Sequence, residues 1–162
     1  MAAYWLRHCN LIALSTFPYQ FWGKISITLK VLLDTNFLLI PAQFGIDIFQ
    51  ELERIVSRKF ELIILTEIIE ELKNFSKKSI KRQKEAQIAL DLAKRCKLID
   101  SNYNNMSLKN VDDIIFHSAL TYGWIVATND RKLRKKLRDH QIPVITLRKK
   151  AFLVIEGDIP SY

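Results

Sequence analysis

Four acidic positions stand where an alternating strand–helix chain would present them side by side. Asp34 follows the apolar run Val31–Leu33 directly, and Asp130 follows Ile125–Thr128 with Asn129 between. Glu70 and Glu71 lie in the helical stretch after a second apolar run. Asp112 and Asp113 open the helical stretch that leads to the strand delivering Asp130. In open parallel sheets ligands bind outside the carboxyl ends of the strands, so residues just past those ends are where chemistry is expected. Each has an ordinary alternative: a turn or helix cap for Asp34, Asp112, Asp113 and Asp130, and surface charge for Glu70 and Glu71. As a group they carry more meaning, because carboxylates brought close repel and raise at least one pKa unless a cation lies among them. An all-oxygen donor set suits Mg2+ or Mn2+. No His or Cys adjoins these positions, which disfavours zinc. A hard cation held there would acidify a water and offset charge on a phosphodiester oxygen, the requirements for in-line hydrolysis.

The elements that must position these residues follow from the apolar periodicity. Ile27–Leu33, Leu62–Leu65, Leu98–Ile99, Ile125–Thr128 and Val144–Leu147 read as buried strands. Helical spacing covers Ile46–Arg58, with Asp47 near its start, and a stretch from Thr66, as N-cap, through Phe75. Ile80–Cys96 is read as a helix burying Ile88, Leu92 and Cys96 beside Ala89 and Ala93. Val111–Tyr122 is a helix ended by Gly123, and Arg131–His140 a strongly basic one. The Asn-rich stretch Ser101–Asn110 reads as a loop, and Phe152–Tyr162 as a tail. Strands alternating with helices predict an α/β fold, a three-layer α/β/α arrangement around a parallel central sheet of about five strands. The four glycines form no phosphate-cradling loop, which removes a nucleotide-binding reading.

At these same residues the sequence resembles the PIN domain family. The motifs are LLDTN (Leu32–Asn36), EEL (Glu70–Leu72), VDDII (Val111–Ile115) and VATNDRKLR (Val126–Arg134), and the resemblance spans roughly residues 28–150. It implies a ribonuclease whose acidic residues are Asp34, Glu71, Asp112 and Asp130, with Asp34, Asp112 and Asp130 binding Mg2+ or Mn2+. The family pattern selects Glu71 over Glu70, because the glutamate directly precedes a Leu. It selects Asp112 over Asp113 by the distance to the following Ile. Asn36, Thr128 and Asn129 are candidates for holding the carboxylates by hydrogen bonds, against an equal alternative of turn formation. Within the family the chain is similar to archaeal single-domain proteins related to the rRNA-processing nuclease of the eukaryotic small-subunit processome. It is also similar to VapC-type toxin ribonucleases. An antitoxin or a ribosome-assembly partner is the corresponding expectation, and a homodimer is the default.

The charge pattern points the same way. The net charge is +8, and residues 73–97 and 131–150 together hold 18 of the 25 Lys and Arg residues. Such segments read either as solvated faces or as basic walls that draw phosphates toward the acidic centre. Arg131, Lys132, Lys135 and Arg138 are the expected RNA contacts on the helix that follows Asp130.

The chain's 162 residues suffice for one domain with a real core. Its two cysteines, Cys9 and Cys96, form no disulfide framework or CxxC site, which fits a reducing cytoplasm. No apolar run is long enough to span a membrane. Residues 1–27 are aromatic-rich and are expected to lie outside the domain as an extension. A peripheral contact segment and an upstream start-codon artefact are the other readings. Residues 151–162 are expected as a C-terminal tail. An RNA-binding scaffold without catalysis is the competing function of a different class, opposed by the presence of all four acids.

Overall fold

The computed structural model describes residues 28–100 and 110–159. Residues 1–27, expected as an extension, lie outside the described residues, as does most of the expected loop 101–110. Strand β1 (Leu29–Leu33) runs into two short helices, α1 (Thr35–Leu38) and α2 (Ile40–Phe44), and then α3 (Ile48–Ile55). Strand β2 (Phe60–Leu65) leads to α4 (Thr66–Ser76) and α5 (Ile80–Ala93). β3 (Lys97–Ile99), α6 (Val111–Tyr122), β4 (Ile125–Ala127), α7 (Arg131–Asp139), β5 (Val144–Arg148) and β6 (Phe152–Glu156) follow.

The sheet order is β3-β2-β1-β4-β5-β6. The first five strands are parallel, and β6 pairs antiparallel with β5. Val31, Leu32 and Leu33 are fully buried, as are Val126 and Ala127 of the neighbouring β4. Continuous apolar runs are what a parallel sheet covered by helices on both faces requires. Strand order reverses between β1 and β4, which makes the crevice past their carboxyl ends the topological switch point. Asp34 and the Thr128–Asp130 turn both emerge there.

Several helix boundaries follow from local chemistry. The Asp47 carboxylate accepts from the amides of Phe49 and Gln50 at 2.9 and 3.2 Å and starts α3. Gly123 ends α6 in the left-handed region at φ 66°, where a side chain would be strained. Thr66 is the first residue of α4; Leu65 occupies the cap position without a side-chain hydrogen bond, and the Thr66 hydroxyl reaches Asp100 instead.

Two further expectations are corrected. α5 buries Ala86, Ala89 and Ala93, while Ile88 is exposed. Its close packing against α4 takes small side chains on the shared face and turns Ile88 outward. α1 and α2 fill a stretch with no periodicity long enough to announce a helix. The sheet has six strands, because residues 152–156, read as tail, return along β5. Glu156 holds that strand with Arg138 at 3.1 Å and Arg148 at 2.9 Å. The Glu51–Arg54 pair on α3 takes up the Leu153 amide and carbonyl at 2.8 and 3.1 Å.

Candidate functional site

β1 ends where Asp34 turns the chain into α1, and this residue is only 3% exposed. One carboxylate oxygen accepts from the Thr35 amide at 2.6 Å and the other from the Thr128 hydroxyl at 2.6 Å. The Thr128 oxygen itself accepts from the Asp130 amide at 3.0 Å, and the Asp34 amide donates to the Ala127 carbonyl at 3.0 Å. The ends of β1 and β4 are thus bound together through one buried carboxylate. Burial pushes the Asp34 carboxyl up from 3.8 to about 7. The Thr128 hydroxyl and Thr35 amide oppose the rise, and the charges of Asp112 and Glu71 add to it.

Glu71 sits one turn into α4 and is held by the Thr35 hydroxyl, which donates to its carboxylate. Asp112, in the first turn of α6, is half-buried and has its carboxyl raised. Burial is the leading cause, followed by the negative charges of Asp130, Glu71 and Asp113. Asp130 caps α7: one carboxylate oxygen accepts from the amides of Lys132 and Leu133 at 2.7 and 2.9 Å. The four expected acids therefore act on one another across four separate elements. The capping role is real for Asp130, and it leaves the second oxygen of that carboxylate outside the cap.

The fallback positions are placed differently. Glu70 is exposed and does not figure among the charges acting on Asp34 or Asp112. Asp113 pairs with Lys136 at 2.6 Å, and that pairing draws its carboxyl below the usual range. Asn36 accepts from the Asn129 amide at 2.9 Å, and Asn129 accepts from the Leu147 amide at 2.9 Å. These two asparagines hold the turn after β4 between α1 and β5, while Thr128 touches Asp34 itself. Arg131, Lys132 and Lys135 lie on α7, the first two and Lys135 all facing solvent. Arg138 is engaged by Glu156.

Two residues were not singled out from sequence. Thr35 is the middle residue of the D-T-N triplet, and its link to Glu71 spans 36 positions. Lys136 opposes the rise in Asp112 and also pairs with Asp113. Motif membership could have flagged Thr35. Nothing local marks Lys136 among its basic neighbours.

Among the described residues, no three His, Cys, Asp or Glu side chains are gathered tightly enough to hold a metal ion as they stand. The donor chemistry nevertheless suits a hard divalent cation. All four groups offer carboxylate oxygen, and their mutual repulsion is the kind that such a cation relieves.

Comparison with known proteins agrees with this fold. Residues 31–150 match the family described as PIN like domain. The chain is 35% identical over 133 residues to Ribonuclease VapC4 of Methanocaldococcus jannaschii, covering 79% of this chain and 97% of that protein. It superposes on the structure of the PIN domain endonuclease Utp24 with a TM-score of 0.65 and 25% identity, over 80% of this chain and 92% of the other. VapBC2 from Rickettsia felis, solved with a promoter DNA fragment, shares the fold at a TM-score of 0.51 and 18% identity. That match covers 67% of this chain and 92% of the other.

Proposed function

Because this chain belongs to the PIN like domain family, we propose that it is a ribonuclease dependent on Mg2+ or Mn2+, cutting RNA at Asp34, Glu71, Asp112 and Asp130. The observation that carries the reading is Asp34. A carboxylate at the end of a central strand is buried, bound to two donors, and raised to about 7 in the field of two further acids. A protein that only needed a capped turn there would be served by a neutral side chain.

Asp34, Asp112 and Asp130 would hold the cation, and Glu71 would complete the site or orient the attacking water. Such a cation, when bound, supplies an acidified water and neutralises charge on the phosphodiester. The carboxylates must close around it. The chain's own part is positioning. Thr128 and the Thr35 amide fix Asp34, the Thr35 hydroxyl steers Glu71, and the α7 amides anchor Asp130. Arg131, Lys132 and Lys135 lie just past Asp130 and would draw the phosphate backbone toward the acids.

Two cellular settings follow from the relatives. The identity to Ribonuclease VapC4 supports a toxin-type role, in which a cognate antitoxin masks the site. The likeness to the PIN domain endonuclease Utp24 supports internal cutting, and RNA processing, including that of rRNA, with an assembly partner is the second setting. Growth arrest on expression, relieved by a neighbouring small gene, would select the first. A homodimer in the cytoplasm is proposed for either, and light scattering measures the oligomer.

The test is cleavage of a single-stranded RNA panel in EDTA, then with Mg2+ or Mn2+ restored. Wild type should cut only with the cation, and Asp34→Asn should not cut at all while still binding RNA. Cleavage in EDTA, or by Asp34→Asn, contradicts the proposal.

A further inference from the structure

Away from the acids, a cleft of about 570 Å³ opens between α2, α4 and α5. We propose that it is a nucleobase subsite for single-stranded RNA, with guanine the preferred base; this rests on the ribonuclease reading above. Its apolar surfaces are Phe75 of α4 and Phe44 at the end of α2, the latter 38% exposed. Each ring already carries a cation: Arg82 lies 5.3 Å from the Phe75 centroid and Lys150 5.8 Å from that of Phe44. Aromatic faces flanked by cations are what unstacked bases and their phosphates require.

Glu85 supplies the means of reading a base edge. Its side chain lines the cleft and is only 12% exposed. Its contacts are nevertheless loose: Lys81 stands at 3.9 Å and the Gln43 amide at 3.5 Å. Charge-assisted hydrogen bonds to a carboxylate normally run about 2.7–2.9 Å. Among the described residues no closer donor reaches this carboxylate, so its oxygens keep acceptor capacity toward the cleft. Guanine alone among the four bases presents two parallel N–H donors, N1–H and N2–H, matching both oxygens of a carboxylate.

An arginine side chain from a protein would also satisfy Glu85. It would have to pass Lys81 and Arg82 on the cleft's rim and Lys150 beside Phe44, in a region where five of residues 77–84 are basic. That rim favours an anionic polymer over a cationic peptide. Phe75 follows Glu71 by one turn on the same side of α4, so a base held on Phe75 lies within a neighbouring nucleotide's reach of the acids.

The experiment is fluorescence anisotropy on the full chain in EDTA, where binding is read without cleavage. The probes are two labelled RNA hexamers, all-U and U with one central G. Wild type should bind the G-containing hexamer roughly tenfold more tightly, the size expected of a bidentate base contact. Glu85→Gln should bring the two affinities together, and Phe44→Ala should weaken both by roughly tenfold. Equal binding of both hexamers by wild type, or a preference that survives Glu85→Gln, overturns the subsite. So does Glu85-dependent binding of an arginine-rich hexapeptide when the two RNAs do not differ. Absence of any RNA binding would instead count against the ribonuclease reading itself.

Discussion

Replacing Asp34 by asparagine should stabilise the cation-free protein, and more so at alkaline pH. The folded carboxyl titrates at about 7 against an ordinary 3.8. A raised carboxyl means the folded state holds a proton that the unfolded state has released, so stability falls as pH rises from about 4 to about 7. The penalty is about 1.7 kcal/mol at pH 5 and reaches its full value, about 4 kcal/mol, by pH 8. The substituted amide carries no charge and escapes it. The replacement loses the Thr128 hydroxyl's carboxylate acceptor, which costs about 1–2 kcal/mol at either pH. The net gain should therefore be about 2–3 kcal/mol at pH 8 and close to nothing at pH 5. For a chain of this size that is roughly 5–10 °C in Tm at pH 8. Urea unfolding in EDTA at the two pH values, followed by circular dichroism, measures it. A variant less stable than wild type at pH 8, or one whose advantage is the same at both, would show that Asp34 is not ionised at a cost.

Other perturbations separate the acids from their neighbours. Asp112→Asn should abolish cleavage, whereas Asp113→Asn, which breaks a half-exposed pair with Lys136, should leave cleavage intact and alter stability only slightly in a urea melt. Replacing Arg131, Lys132 and Lys135 together by alanine should flatten the salt dependence of RNA binding by about 2 in log–log slope, read from binding isotherms at several salt concentrations. Arg138→Ala should leave that slope unchanged and instead loosen β6, lowering Tm, because Arg138 is committed to Glu156. Burial pushes the Cys96 thiol up to about 11, so iodoacetamide at pH 8 should label it far more slowly in the folded protein than in urea.

The strands that carry the site were legible because a covered parallel sheet needs unbroken apolar runs, and β1 and β4 are such runs ending at acids. α6 was legible to the residue because Gly123 stops it. β6 was hidden by its turn. Lys149 and Lys150 both adopt positive φ, at 50° and 55°, without the Gly or Asn that normally marks a tight hairpin. On α5 the stripe read from large residues holds for Leu92, which packs against the core, and fails for Ile88, because the close approach of α4 selects alanines. Within the site, the choice of Glu71 over Glu70 came from the motif, and Thr35 gives it a physical basis. The Asp113–Lys136 pair joins different helices, and no local pattern records it.

An anomalous difference map from crystals soaked in Mn2+ tests the account most directly. It should show one strong peak bound by carboxylate oxygens of Asp34, Asp112 and Asp130, with Glu71 beside it. Crystals that take up manganese elsewhere, or not at all, with Asp34 still hydrogen-bonded to Thr128 and its neighbours held apart, would contradict it.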